Sequence, residues 1–161
     1  MGERLGLHHF LWLEHGYLAG DDTDSHVDTL ARICPNDTIA YVKCTDPNDA
    51  HYQELSLKEQ ELQAFRTPQG APYRLVALPW PDAVYDEDGE RLPATYANYL
   101  GPTRTLLNPT SNQPPHDEEA AHALSQAFPS HDIVGVDCQA LIRQHGSLHC
   151  ATMQYPRGVM A

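Results

Sequence analysis

The chain has 161 residues, with 10 Lys and Arg against 22 Asp and Glu, a formal net charge of −12. That balance argues against nucleic acid, whose phosphates call for basic stripes, and suits a small cationic substrate drawn by an acidic surface. With 41% hydrophobic and 20% charged residues the composition is globular, and no apolar run approaches the about 20 residues that span a bilayer, so no membrane association is expected.

The length predicts a single domain over residues 1–161. Met1 is followed by no long apolar stretch of the kind a secretory leader carries. Four cysteines occur without a CxxC pair, which disfavours a structural zinc knuckle. Free thiols and the missing leader together predict a reducing, cytoplasmic location.

In chain order, His9 to Glu14 reads as a short buried strand, and the acidic stretch Asp21 to Ser25 as a loop. Val27 to Cys34 alternates like a strand, Pro35-Asn36-Asp37 is a turn, and Thr38 to Cys44 is a second strand, giving a hairpin. Asp46-Pro47-Asn48-Asp49 leads into a helix from about Ala50 to Phe65, ended by Pro68-Gln69-Gly70. Tyr73 to Leu78 is a strand, Tyr85 to Arg91 an acidic loop, and Ala94 to Leu100 with Arg104 to Leu107 a second hairpin. Asn108 to Pro115 reads as a loop and His116 to Phe128 as a helix, its apolar side chains at helical spacing. Ile133 to Val136 is a strand, Gln139 to Ile142 a helical turn and Leu148 to Met153 a last strand. Hairpin, helix and strand recur twice, which predicts an α/β or α+β fold built from ββαβ units.

Three residues carry the strongest chemistry. Cys150, in Gly146-Ser147-Leu148-His149-Cys150, is a candidate nucleophile; a thiol attacks as thiolate and needs a proton acceptor supplied by the fold. On a strand His149 would point away from Cys150, which makes the distant His26 the better proton shuttle. Strand spacing in His26-Val27-Asp28 would project His26 and Asp28 from one face, where a carboxylate can hold a cation. Asp21, Asp22 and Asp24 add negative potential, and Gly146 permits close backbone approach beside the thiol. Taken singly, each feature has a plainer reading: a cysteine that is a small hydrophobe, and acids that are a solvated loop. A metal site at His145, His149 and Cys150 lacks the usual ligand spacing.

Read together, several segments resemble the agmatine deiminase and bacterial-type peptidylarginine deiminase family. They are Leu11-Trp12-Leu13, Asp21 through Asp28, Asp46-Pro47-Asn48-Asp49, Tyr85-Asp86-Glu87-Asp88-Gly89, Leu92-Pro93-Ala94-Thr95-Tyr96-Ala97-Asn98-Tyr99, Ile133 through Asp137 and Gly146 through Gln154. The resemblance implies part of a five-bladed α/β propeller of ββαβ units, pentein-like, with no cofactor. It implies a hydrolase that converts a guanidinium substrate, agmatine foremost, to a ureido product and ammonia through a Cys-bound intermediate. Carried over position by position, Cys150 matches the nucleophile, His26 the acid/base and Asp28 a guanidinium-gripping carboxylate. Asp22 and Gly146 fall in the substrate-binding stretches.

Two departures stand out. The glycine run of the family is here Gln144-His145-Gly146-Ser147, and family members are about twice this length. Their N-terminal half carries a Trp-x-Arg-Asp motif that this sequence lacks. The resemblance therefore implies the C-terminal part of the fold, with open sheet edges and a site completed by a separate N-terminal chain or by oligomerisation. Action on protein arginine, and a catalytically inactive remnant retaining fold and cysteine, are the alternative readings.

Overall fold

The structure is a computed structural model and describes residues 4, 6–21, 26–101, 104–155 and 158–159. A three-stranded sheet forms first, from β1 (Ala31–Cys34), β2 (Thr38–Lys43) and β3 (Arg74–Pro79). β1 and β2 are antiparallel, with Cys34 opposite Thr38. Asn36 and Asp37 turn the chain at φ 57° and 50°, a left-handed conformation that short polar side chains tolerate better than bulky ones. β3 lies parallel to β2, so the chain must cross over between them, and α1 (Tyr52–Ala64) is that crossover.

Because side chains alternate along β2, its two faces serve different clusters. Ala40 and Val42 join Val76, Leu78 and Leu106 in the main core. Ile39 and Tyr41 join Leu62, with Phe65 and Leu75 packed beside them. The main core is closed by α2 (Pro114–Ala127), whose Ala120, Ala123, Leu124 and Ala127 are buried. Each fully buried Leu there contributes roughly 1.5–3 kcal/mol of transfer free energy. Pro114 occupies the first position of α2, where a missing N–H is harmless, and Asp117 accepts from the Gln113 and Ser111 N–H groups.

The second unit repeats the crossover. β6 (Thr105–Thr110) and β7 (Asp132–Asp137) are parallel, joined by α2. Its expected opening strand, from Ala94 to Leu100, is instead irregular chain; only Leu100 bridges, exchanging backbone hydrogen bonds with Leu107. The acidic stretch after Pro81 is not a loop throughout, since β4 (Val84–Tyr85) and β5 (Arg91–Leu92) pair around it. α3 (Gln139–Ile142) is the expected single turn.

Three further expectations are corrected. Residues 9–14 form no strand. Val27–Thr29 is a turn of 3-10 helix and the strand starts only at Ala31, so His26 and Asp28 do not share a strand face. Leu148 to Ala151 is a turn rather than a strand, so His149 and Cys150 are not held on opposite faces of a sheet. The mixed α/β class stands, with one complete ββαβ unit and a second reduced at its first strand.

Candidate active site

The site is assembled from three irregular segments around the buried side chain of Asn98, which is 0% exposed. The first is the 3-10 turn that carries Asp28. Thr29 Oγ1 donates to His26 O at 2.7 Å, and the buried Thr95 donates its hydroxyl to Thr29 O at 2.7 Å. Lys58, fully buried, donates from Nζ to Val42 O at 2.7 Å and to Leu30 O at 3.4 Å, just beyond the turn.

The second segment runs from Thr95 to Tyr99. Tyr96 donates its hydroxyl to Asp117 Oδ1 at 2.7 Å, tying the segment to α2. Tyr99 OH lies 3.2 Å from Cys34 Sγ, while Arg32 donates to Tyr99 O at 2.6 Å and covers the Tyr99 ring. Asn98 is thereby fixed from both sides.

The third is the turn bearing Cys150. Ala151 N–H donates to Ser147 O at 3.2 Å, and both the N–H and the hydroxyl of Thr152 donate to His149 O. His145 stands at φ 61°, and its ring nitrogen donates to Gly20 O at 2.8 Å, which pins the 16–21 stretch. Gly146 sits against the nucleophile: a Cβ there would be 3.2 Å from Cys150 Cβ and 3.8 Å from Sγ.

These segments bring Asp28, Asn98, His149 and Cys150 together. The Asn98 amide donates to Asp28 Oδ2 at 3.0 Å and to Cys150 Sγ at 3.3 Å. Its carbonyl oxygen accepts the His149 N–H at 2.8 Å and the Cys150 N–H at 3.3 Å, and the Cys150 thiol can also donate to it at 3.6 Å. His149 Nδ1 donates to Asp28 Oδ2 at 2.6 Å. Both partners of Asp28 thus converge on Oδ2; among the described residues Oδ1 takes none, and it is free to receive an incoming donor. Cys150 is exposed, whereas Cys34, Cys44 and Cys138 are buried, and burial raises the pKa of those three thiols. A thiol that ionises reluctantly is a poor nucleophile, which leaves Cys150 as the accessible one.

Of the residues singled out from sequence, Cys150, Asp28 and Gly146 meet in this site. His26 caps the same turn as Asp28, is exposed, and among the described residues its ring has no hydrogen-bond partner. Asp22 lies outside the described residues. Asn98 and His149 were missed as site residues. The signal for Asn98 was an amide amid Tyr96, Ala97 and Tyr99, since a polar side chain in an apolar stretch must find partners when buried. Among the described residues no group of three or more His, Cys, Asp and Glu side chains is placed to hold a metal. No helix among them is long and apolar enough to cross a membrane.

Asp28 also opens onto a groove of about 550 Å³ lined by Leu11, Trp12, Val27, Ile33 and Phe65 among others. Trp12 is 75% and Ile33 69% exposed there, an uncovered apolar face beside the edge strand β1.

The profile of the Porphyromonas-type peptidyl-arginine deiminase family matches residues 1–156. The chain belongs to this family. Among solved structures, a presumed arginine deiminase from Porphyromonas gingivalis superposes with a TM-score of 0.93 at 51% identity, over 98% of this chain and 46% of that one. The agmatine deiminase of C. jejuni, as a Cys-to-Ser variant with substrate bound, superposes with a TM-score of 0.83 at 42% identity, over 92% of this chain and 42% of that one. A presumed agmatine deiminase of a Marinomonas strain is 29% identical over 168 residues, covering 94% of this chain and 45% of its own length. The chain therefore spans under half the length of the relatives it matches.

Proposed function

We propose that this chain supplies the nucleophile-bearing part of a guanidinium deiminase, with agmatine as substrate. The observation that carries the reading is the convergence of an exposed thiol, Cys150, and a carboxylate, Asp28, on one buried amide, Asn98. Asp28 Oδ1 pairs with guanidinium N–H groups and holds the planar carbon near the sulfur. The Cys150 thiolate attacks that carbon, and the resulting tetrahedral centre expels one nitrogen as ammonia, protonated by His26. The amidino-thioether that remains is attacked by water, whose proton returns to His26. The C–S bond then breaks, releasing the ureido product and regenerating the thiolate.

His149, bonded to Asp28, orients the carboxylate. The role of His26 rests on the family resemblance and on its place in the turn with Asp28, which leaves its ring open to solvent. Support for agmatine comes from the substrate-bound C. jejuni deiminase, a variant in which a cysteine is replaced. The family profile, named for peptidyl-arginine, favours protein arginine as the second reading. The exposed apolar face at Trp12 and Ile33 is covered, in this reading, by the further half of the fold that the longer relatives possess, completing a five-bladed propeller.

The test is ureido-product formation from agmatine and from an arginine peptide. The chain is assayed alone and after joining to the remaining half of the Porphyromonas gingivalis relative. The reading expects product from agmatine in the joined protein, little from the chain alone, and none after Cys150→Ala. Undiminished turnover by Cys150→Ala contradicts the mechanism; robust turnover by the chain alone contradicts the incomplete site.

A further inference from the structure

We infer that His145 is a positioning residue. Through the hydrogen bond it donates to Gly20 O, it fastens the turn bearing Cys150 to the stretch of chain laid along α1 ahead of Asp28. The inference rests on the proposed roles of Cys150 and Asp28 and names the group that ties their two segments together.

Residues 14–20 are irregular chain, yet their backbone is held bond by bond against α1 and its N-cap. The N–H groups of Glu14 and His15 donate to Glu61 Oε2 at 3.1 and 3.2 Å, and that of Gly16 to Glu54 Oε2 at 3.3 Å. Ala19 N–H donates to Nε2 of the buried His51 at 2.9 Å, and the Tyr17 ring stacks on the same imidazole at 5.3 Å. His51, Glu54 and Glu61 follow helical spacing and so present one face. At the far end the chain is wedged. Gly20 stands at φ 81°, and a Cβ there would meet Arg91 O at 2.1 Å. Gly20, eight residues upstream of Asp28, is therefore a stiff point of attachment.

The bond to the Gly20 carbonyl comes from the other unit, at the foot of the Cys150 turn. A carbonyl only accepts, so His145 Nδ1, at 2.8 Å, carries the proton. His145 N–H donates to Ile142 O at 3.0 Å at the end of α3, and the next residue, Gly146, packs directly against Cys150. The ring thus acts one residue from the backbone that sets the place of the thiol. A left-handed φ of 61° alone asks only for glycine, which adopts it without strain. The imidazole bears that strain and adds what glycine lacks, a donor that reaches Gly20.

Two substitutions separate conformation from coupling. His145→Gly keeps the left-handed turn and removes the donor. His145→Asn tolerates the same φ, and its amide nitrogen stands as many bonds from Cβ as Nδ1 does, so it can donate to Gly20 O. The readout is amide hydrogen exchange by peptide mass spectrometry over residues 14–21 and 145–152, which requires no turnover. We expect His145→Gly to quicken exchange in both segments about fivefold, the order of one lost hydrogen bond, and His145→Asn to restore it. Unchanged exchange in His145→Gly, a rise confined to one segment, or His145→Asn behaving as His145→Gly overturns the inference. The unsubstituted protein supplies a check that no misfolded variant can obscure. Long-range proton–nitrogen NMR correlations of the His145 ring in mildly alkaline buffer should show the proton on Nδ1, and a ring protonated on Nε2 alone overturns the inference equally. The effect on the site is read at Cys150 as the rate of labelling by 2-chloroacetamidine, an amidinium, over that by neutral iodoacetamide. That preference should fall about fivefold in His145→Gly and return in His145→Asn; an undiminished preference in His145→Gly contradicts the positioning role. Should the natural protein show no preference for the amidinium, the proposed pairing of Asp28 with Cys150 fails, while exchange and the ring proton still report on His145.

Discussion

His149 Nδ1 stands 2.6 Å from Asp28 Oδ2, joining residues 121 apart in sequence. The contact occupies one Asp28 oxygen, and the other has no partner among the described residues. Substitutions of the two residues should therefore differ in kind. Asp28→Asn removes the charge that grips a guanidinium, and kcat/KM for agmatine in the completed protein should fall about a hundredfold or more. His149→Ala leaves the carboxylate charged but less constrained, and the fall should be nearer tenfold, one charge-assisted hydrogen bond's worth. Initial rates of ureido formation distinguish the two.

Gly146 tests how tightly the nucleophile is packed. A Cβ at 3.2 Å from Cys150 Cβ is closer than side chains normally approach, so Gly146→Ala must displace the turn by a few tenths of an ångström. Cys150 alkylation should slow several-fold, by an order-of-magnitude estimate from the sensitivity of packed sites to one added methyl. Thermal unfolding should change less than alkylation does, because the close approach is to the exposed Cys150. Alkylation at the unsubstituted rate would show that the turn has room to spare.

His51 anchors the chain that leads toward the site. It is 0% exposed; its Nδ1 donates to Asp49 Oδ1 at 2.6 Å, and its Nε2 accepts the Ala19 N–H at 2.9 Å. Asp49 is bonded in turn by Trp80 and Arg91. Burial works against the Asp49 charge, but hydrogen bonds from His51, Arg91 and Trp80 outweigh it and lower its pKa. His51→Ala breaks this buried network and should cost about 2–4 kcal/mol in urea unfolding.

Lys58 gives a pH dependence with a definite sign. Burial is the cause that lowers its pKa to about 7 from an ordinary 10.5. Between those values the unfolded chain holds more protons than the folded one, so this group's contribution to stability rises with pH. Below the folded value the charged ammonium is buried at full cost. The melting temperature of the natural protein minus that of Lys58→Met should therefore increase from pH about 6 to about 9. A difference that falls over that range would show that the buried lysine is not deprotonating.

Where local pattern and packing agree, the sequence was readable. The turn of Asn36 and Asp37, the alternation along β2 and the small apolar face of α2 each have one good solution, and those elements formed. The site segments were harder because their shapes are imposed from outside. His26-Val27-Asp28 alternates like a strand, but Thr29, Thr95 and Lys58 supply side-chain bonds that hold a 3-10 turn there. Leu148 to Ala151 has strand-like residues, yet the Asn98 carbonyl takes the very N–H groups a neighbouring strand would need. Cys150 and Asp28 could be named through resemblance, whereas Asn98 emerges only when the three segments are brought together.

The most direct test of the central claim, a cation-directed thiol at Cys150, is covalent labelling by 2-chloroacetamidine, a small amidinium that carries its own leaving group. If Asp28 draws a planar cation to the Cys150 thiolate, Cys150 should be labelled far faster than Cys34, Cys44, Cys138 or a free thiol in solution. Asp28→Asn should abolish that preference while leaving labelling by neutral iodoacetamide nearly unchanged. Labelling of Cys150 no faster than a free thiol, or equally fast in Asp28→Asn, would contradict the account.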